Sequence, residues 1–128
     1  MITFSDFLAV EGTPIYLQIM RYIKQGLVAG TIRAGDEMPS RRALSALLTV
    51  NPNTIQKAYR LLEEEGLVES RSGAMSTVCA SAEQVEHVRR ELVEGEMRRM
   101  AAAARAMGLT KEEAHALLDR LYDEEETL

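Results

Sequence analysis

The feature that most constrains the fold is a pair of short helices separated by only three residues. Ser40 is a typical cap for a first helix over about residues 41–48. Asn51 caps a second helix, with Pro52 at the first helical position, where a missing N–H costs nothing, and Gly66 just past its end. A connection this short is typical of a helix-turn-helix.

Further elements are predicted on both sides of this pair. An amphipathic helix begins at Pro14 and ends near Gly30, and residues 31–33 predict a short strand. Residues 67–70 and 75–79 predict two more strands, joined by a glycine-containing turn into a hairpin. The predicted fold class is therefore mainly α with a small β-hairpin.

The C-terminal third of the chain predicts two more helices. Ser81 and Gln84 form a capping box that opens a long helix reaching about Met107. Thr110 and Glu113 form a second capping box that opens the last helix. These helices follow the hairpin directly, without a low-complexity linker.

Apolar stripes on the two C-terminal helices are too extensive for a three-helix domain to cover, and monomers rarely expose large apolar patches. We therefore expect residues 81–128 to form a dimerisation segment that pairs across a two-fold axis, after a separate domain over residues 1–80. The alternative is that the stripe folds back onto that domain. The predicted dimerisation residues are Val85, Val88, Leu92, Val93, Met97, Met100, Ala104, Met107, Leu117, Leu118 and Leu121.

The formal net charge of −5 is unevenly distributed along the chain. Residues 1–80 carry equal numbers of basic and acidic side chains, so the excess acidity belongs to residues 81–128. Residues 39–60 contain basic side chains and no acidic one. This local positive stretch is compatible with a surface that faces phosphates.

The start of the second helix of the pair carries side chains suited to reading DNA. In a helix-turn-helix this end enters the major groove, where asparagine and glutamine pair with adenine, and lysine and arginine reach phosphates or guanine. The preceding helix begins with free amides beside two arginines, an arrangement that holds a phosphate. Each residue alone is equally explained as a cap or a solvated side chain, but their joint order favours DNA. The predicted DNA-binding residues are Ser40, Arg41, Arg42, Asn51, Pro52, Asn53, Thr54, Gln56, Lys57 and Arg60.

Three motifs in this order resemble the winged helix-turn-helix domain of GntR-type bacterial transcription regulators. They are Pro14-Ile15-Tyr16-Leu17-Gln18-Ile19, the run over residues 29–42, and Val50-Asn51-Pro52-Asn53-Thr54-Ile55. The resemblance covers about residues 10–80. The short C-terminal part, with two helices and no large sensor domain, resembles the YtrA subfamily.

The resemblance implies a homodimeric regulator, usually a repressor, that acts on a palindromic operator, often near genes for an ABC-type transporter. It places DNA contacts at Ser40 and Arg42, along residues 51–57, and in the wing around Arg71 and Gly73. The chain departs from the family pattern at Thr49, where glycine is common. Its residues 75–77 also differ from the family wing, which usually has a second glycine, a threonine and an aromatic residue.

The sequence offers no catalytic or cofactor site. Cys79 is the only cysteine, which excludes an intramolecular disulfide framework and fits a reducing cytoplasm. His87 and His115 fall on separate helices without acidic partners at metal-ligand spacing, and no phosphate-binding glycine loop occurs. We therefore expect no enzyme activity, no cofactor and no metal, in a soluble cytoplasmic protein without a signal peptide or membrane span.

Two alternatives stay open beside a DNA-binding dimer. Met97, Met100 and Met107 could form an adaptable pocket for an unknown small-molecule effector, although packing is the commoner use of methionine. The net acidity and the altered wing also allow a winged-helix protein-interaction module without specific DNA binding. The predicted partners are double-stranded DNA, a second copy of the chain and, in the first alternative, an effector.

Overall fold

The computed structural model describes residues 1–71 and 75–126, with side chains up to residue 124. The elements in chain order are α1 (Ile15–Ala29), α2 (Arg41–Leu48), α3 (Pro52–Glu64), β1 (Val68–Ser70), β2 (Ser76–Val78), α4 (Ala82–Ala106) and α5 (Lys111–Glu126). Within the described residues the fold is mainly helical with one two-stranded sheet, as predicted. The chain divides into two compact units, Met1–Arg90 and Glu91–Leu128, and the boundary falls inside α4. The functional division predicted at residues 80 and 81 stays a prediction.

The helix-turn-helix is formed by α2 and α3, and both predicted caps are in place. Ser40 Oγ accepts a hydrogen bond from the Ala43 N–H at 3.0 Å, and Asn51 Oδ1 accepts one from the Asn53 N–H at 2.8 Å. These bonds satisfy amides that the first helical turn leaves without intrahelical partners. Local cap chemistry therefore determines where each helix begins.

The turn between α2 and α3 passes through the left-handed region at Thr49, with φ 54° and ψ 51°. Side chains with a Cβ rarely adopt this conformation, and branching at Cβ makes it less favourable still. Thr49 thus keeps the backbone that glycine would adopt without strain. Ser45 holds the turn closed, since its Oγ donates to the Val50 carbonyl at 2.6 Å.

The core of the first unit lies between α1 and α3. The predicted stripe of α3 is confirmed, because Ile55, Ala58, Tyr59 and Leu62 are all fully buried. The Tyr59 hydroxyl donates to the Pro39 carbonyl at 2.6 Å, so this buried phenol has a partner just ahead of α2. Burial raises the pKa of Tyr59 well above its usual range, although the Arg41 charge acts in the opposite direction. The hydroxyl therefore stays a donor.

The predicted hairpin is confirmed, with β1 antiparallel to β2 and Val68 opposite Val78. A short bridge extends the sheet, since Glu37 pairs with Thr77. The predicted hairpin turn, which includes Gly73, lies outside the described residues. The sheet therefore packs the chain before α2 against the chain after α3.

The strand predicted over residues 31–33 is wrong. This segment turns back over the end of α1, where the Ile32 N–H donates to the Gly26 carbonyl at 3.1 Å. The Ile32 side chain lies directly over Gly26, so closely that a Cβ at position 26 would collide with it. The Arg33 N–H donates to Asp36 Oδ2 at 2.9 Å and closes the next turn. Side-chain packing on α1 therefore overrides the local β-propensity.

The N-terminal residues are part of the first unit, which no sequence pattern predicted. Ile2 and Phe4 are buried, and the Ile2 N–H donates to the Glu37 carbonyl at 2.8 Å. Phe4 stacks on Tyr22 with 4.7 Å between ring centroids, and the Tyr22 hydroxyl donates to the Thr3 carbonyl at 2.8 Å. The segment therefore packs against α1 as an additional layer of the core.

The second unit, Glu91–Leu128, consists of the rest of α4 followed by α5. Its predicted capping box is confirmed: the Thr110 N–H donates to Glu113 Oε1 at 2.8 Å, and the Glu113 N–H donates to Thr110 Oγ1 at 3.1 Å. These bonds lower the pKa of Glu113 below its usual range. Among residues 91–124 none is buried. No helix in the described part of the chain is both long and apolar enough to cross a membrane.

Candidate nucleic-acid interface

The beginning of α3 presents its polar residues away from the buried stripe. Asn53 and Gln56 are exposed, and their side chains have no hydrogen-bond partner among the described residues. Thr54 is half-buried, and the Asn51 side-chain oxygen is occupied by its capping bond. Asn53 and Gln56 are therefore the free amides of this end, with the donor and acceptor pair that an adenine edge requires.

The two arginines that open α2 lie in different environments. Arg42 is exposed and has no partner within the described residues. Arg41 points inward: its guanidinium carbon lies 5.1 Å from the centroid of the Tyr59 ring, and its Nη2 lies 3.6 Å from Glu63 Oε1. Its Nε is buried without a hydrogen-bond partner. Only Arg42 is therefore placed to bind an external anion without first breaking contacts in the protein.

Glu63 connects Arg41 to the sheet as well as to α3. Its carboxylate also accepts a hydrogen bond from the Ser70 hydroxyl at the end of β1. Arg41, Glu63 and Ser70 thus link the start of α2, the end of α3 and the first wing strand. Through this network Arg41 stabilises the packing of α2, α3 and β1, a structural role that the sequence alone did not indicate.

Each of the remaining basic candidates contacts another side chain of the protein. Lys57 Nζ lies 4.0 Å from the centroid of the Tyr16 ring, Arg60 pairs with Glu64 at 3.4 Å, and Arg71 pairs with Glu69 at 2.9 Å. Both ion pairs are about half exposed, so each contributes little to stability and exchanges easily for a phosphate. The predicted wing residue Gly73 lies outside the described residues.

Charge is polarised along α3. Its first turns carry Lys57 and no acidic side chain, whereas Glu63 and Glu64 lie in its last turn. The positive end of a helix dipole is the N-terminal end, so backbone and side chains favour an anion at the same place. At the opposite end, Lys24 of α1 pairs with Glu65 at 2.8 Å. The carboxylates at this end are thus paired with basic side chains of the same chain, whereas the side chains of Asn53 and Gln56 at the other end have no partner among the described residues.

One residue of the first motif has a structural role that the sequence did not reveal. Gln18 Oε1 accepts from the Val10 N–H at 2.9 Å, and its Nε2 donates to the carbonyls of Val10 and Thr13 at 2.9 and 2.7 Å. The glutamine therefore fastens the segment ahead of α1 and has no free group for a ligand. Its position one turn after Pro14 is the only sequence signal of this role.

The predicted dimerisation residues fall into two groups. Val88 is buried within its own chain, and Val85, Leu92 and Ala104 are half-buried. The others are exposed, from 38% at Leu117 to 73% at Met107. This exposed group is Val93, Met97, Met100, Met107, Leu117, Leu118 and Leu121. All of it lies in the second unit.

The described residues contain no group of three or more histidine, cysteine, aspartate or glutamate side chains that could hold a metal ion. Cys79 is half-buried, and burial together with the Glu69 charge raises the pKa of its thiol. Its sulfur donates to the Gly66 carbonyl at 3.4 Å. The arrangement is that of a packed thiol and not of a nucleophile.

Comparison with known proteins places this geometry in a defined group. The sequence profile of "Bacterial regulatory proteins, gntR family" matches residues 15–78. The chain is 40% identical over 104 residues to the uncharacterised HTH-type transcriptional regulator YhcF of Bacillus subtilis, covering 78% of this chain and 83% of that protein. It is 32% identical over 113 residues to the HTH-type transcriptional repressor YtrA of the same organism, covering 88% of this chain and 82% of that one.

A solved structure agrees with these sequence matches. A GntR family transcriptional regulator from Listeria monocytogenes superposes with a TM-score of 0.75 at 30% identity, covering 88% of this chain and 98% of that chain. The similarity therefore extends beyond the helix-turn-helix into the C-terminal helices. These relatives are transcriptional regulators and not enzymes, which confirms the prediction of a non-enzymatic protein.

Proposed function

The chain belongs to the GntR family of bacterial regulatory proteins, and we propose that this DNA-binding transcriptional regulator is a repressor that binds a palindromic operator as a homodimer. The name of its relative YtrA, a transcriptional repressor, supports the direction of control. YtrA and this chain match over most of both lengths.

The observation that carries the proposal is the set of free polar groups where α2 and α3 begin. Asn53 and Gln56 read base edges when the start of α3 enters the major groove, which is about 12 Å wide. Arg42 and the amides at the start of α2, next to the Ser40 cap, hold a phosphate and fix the register of α3 on the duplex. Arg41 supports this arrangement from inside the domain through its contacts with Tyr59 and Glu63.

The other predicted residues add phosphate contacts at the edges of this surface. Lys57 leaves the half-buried ring of Tyr16, and Arg60 and Arg71 leave exposed carboxylates. All three then pair with phosphates of the same groove or its neighbour. The edges of the proposed surface therefore bind phosphates by charge, whereas its centre contacts base edges and recognises the sequence. The proposed DNA-facing residues are Ser40, Arg42, Asn51, Pro52, Asn53, Thr54, Gln56, Lys57, Arg60, Arg71 and Gly73.

The homodimer is supported by the exposed apolar side chains of the second unit. Met97, Met100 and Leu121 are each about half exposed, on helices that are otherwise highly charged. A second copy of the same face covers them with identical chemistry, which a two-fold axis requires. Such a dimer sets its two recognition helices, α3 of each chain, about 34 Å apart for successive half-sites, or at a longer spacing typical of the family.

We also place the proposed repressor in the cytoplasm, with an operator near genes for an ABC-type transporter. This rests on the likeness to YtrA-type regulators. An effector that binds near Met97, Met100 and Met107 is compatible with the proposal and is not required by it. Mapping a selected operator onto the promoters of the source genome tests the target genes.

Selection from a pool of random duplex DNA, followed by sequencing, tests the proposal. The wild-type chain is expected to enrich an inverted repeat. Arg42→Ala is expected to bind the enriched repeat more weakly than the wild type, whereas Arg105→Ala, which changes an exposed arginine late in α4, binds it with wild-type affinity. If the folded, dimeric wild type enriches no sequence, DNA recognition fails and the interaction-module alternative is favoured.

A further inference from the structure

The start of α4 is attached to the end of the recognition helix by one side chain. Gln84 Oε1 accepts from the Ser81 N–H at 2.8 Å, and the Gln84 N–H donates to Ser81 Oγ at 3.1 Å, which completes the predicted capping box. The same side chain donates from Nε2 to the Gly66 carbonyl at 3.2 Å. Gly66 is in the turn that ends α3, so one amide joins the two helices.

Gly66 is shaped to receive this amide. Its φ of +77° favours glycine, and a Cβ at this position would lie 2.6 Å from Gln84 Nε2. The Gly66 carbonyl also accepts from the thiol of Cys79, which directly follows β2, so the turn is held both from the end of the hairpin and from α4. The end of the recognition helix is therefore a fixed point to which α4 is attached.

The capping box alone does not require a glutamine. Glutamate closes the same box, since only the side-chain oxygen at Oε1 takes part. A glutamate has no N–H to donate to the Gly66 carbonyl, because an ionised carboxylate only accepts. The amide nitrogen of Gln84 therefore has a function beyond starting α4.

Few other contacts fix the direction of α4. Val88 is the one buried residue of this helix, all of which is described. Beside Gln84 lies an open cavity of about 310 Å³, lined among others by Glu65, Leu67 and His87. Beside the apolar contacts of Val88 and the half-buried Val85, the Gln84 hydrogen bond is a directional attachment one turn before Val88.

We propose that Gln84 is a positioning residue that holds α4 to the end of the recognition helix and thereby sets the half-site spacing that the dimer accepts. The inference rests on the proposed function, because it requires a dimer formed by α4 and α5. Because α4 is continuous from Ala82 to Ala106, it connects this attachment to the residues that are proposed to pair. Losing the link widens the range of spacings without changing how one half-site is read.

Three variants separate the link from the cap. Gln84→Glu keeps the capping box and loses the donor to Gly66. Gln84→Met removes the same donor without adding charge beside Glu83, and it also removes the side-chain acceptor of the box. Ser81→Ala weakens the cap and keeps the link, so it is the matched control.

The measurement is binding to inverted repeats whose spacer is one or two base pairs shorter or longer than in the selected operator, and to a single half-site. The inference expects both Gln84 variants to reduce the preference for the best spacer by about tenfold or more, because effective concentration depends on the geometry of the two sites. Half-site affinity is expected to stay within about twofold of wild type, and Ser81→Ala to keep the preference.

Other outcomes separate the inference from the proposed function. An unchanged spacer preference in Gln84→Glu or Gln84→Met overturns the inference alone. An equal loss of half-site binding also overturns it, because the residue would then act on the domain as a whole. A wild type that binds no repeat above scrambled DNA overturns the proposed function together with the inference.

Discussion

The two units of this chain differ in how much of their apolar surface is buried within the chain. The first buries its side chains against itself, from Ile2 at the N-terminus to Val88 in α4. The second has equally well-formed caps, yet among residues 91–124 none is buried. The helices of both units therefore have capped ends, but only the first unit forms a hydrophobic core within a single chain.

The difference in burial suggests that, in the proposed regulator, the first unit recognises DNA and the second unit forms the dimer. A packed unit holds Arg42, Asn53 and Gln56 in fixed geometry, which sequence reading requires. Most helix stability in proteins comes from packing of an amphipathic face, and no residue among 91–124 is buried, so we propose that the second unit gains stability by burying its apolar stripe in the dimer. In the proposed dimer, each chain recognises one half-site through its first unit, and the second units hold the two chains together.

The largest effect is expected from a cavity in the self-contained core. Leu62→Ala is expected to lower the free energy of unfolding by about 3 kcal/mol, because the side chain of Leu62 in α3 is fully buried. Urea unfolding at two protein concentrations measures it. The matched change Leu121→Ala, at a half-exposed position, is expected to act only through the dimer, with a loss that depends on protein concentration. Equal, concentration-independent losses would erase the contrast between the units.

A charge on the apolar face of α4 is expected to weaken dimerisation and to leave recognition of a single DNA half-site unchanged. Met100→Glu is expected to weaken the dimer by about 3 kcal/mol, roughly 150-fold, because it buries a carboxylate without a partner. Sedimentation equilibrium measures the dissociation constant. Ala102→Glu, an exposed position outside the apolar stripe, is the control and is expected to leave it unchanged. A monomeric wild type at micromolar concentration would refute the pairing role.

Within the first unit, the two arginines of α2 are expected to behave differently. Arg42→Ala is expected to weaken operator binding by about 2 kcal/mol and to reduce the salt slope by about 1, because one phosphate contact is lost. Arg41→Glu is expected to weaken binding and to be rescued by adding Glu63→Arg, which restores the pair in reverse. Anisotropy titrations at several salt concentrations measure both effects. Failure of the reversed pair to rescue would make Arg41 a direct DNA contact.

The smallest effect is expected at the turns between helices. Thr49→Gly is expected to raise the free energy of unfolding by about 1 kcal/mol. The exposed Thr49 has a left-handed backbone conformation that is strained for threonine and unstrained for glycine. In the second unit the equivalent turn already has Gly108 at φ 81°, so Gly108→Ala is expected to destabilise it by a similar amount. Chemical denaturation of both variants checks the signs. Loss of stability in Thr49→Gly would contradict the strain argument.

The parts of the fold that depend on local chemistry were predictable from the sequence. The caps at Ser40, Asn51 and Thr110 and the stripe through Tyr59 act over one or two turns, so a linear pattern contains them. The end of α1 at Gly30 was predictable, but the path of residues 31–33 after it was not, because their strand propensity lost to packing of Ile32 over Gly26. A contact between residues on different elements leaves no periodic trace.

The site was predictable in its residue types and less so in its geometry. Arg41 and Arg42 are identical in chemistry and adjacent in sequence, and only the position of Tyr59 and Glu63 turns one inward. The same limit hid the burial of Ile2 and Phe4, whose partners are in α1 and beside β2. Side-chain direction at such positions is decided by neighbours that are distant in the chain.

The most direct test of the division between reading and pairing is one anisotropy titration on three duplexes: the selected inverted repeat, a single half-site and a scrambled sequence. We expect the full repeat to bind at least about a thousandfold tighter than scrambled DNA and about a hundredfold tighter than the half-site. Equal affinity for the repeat and the half-site would contradict the pairing of two chains. Equal affinity for all three would contradict sequence reading by the first unit.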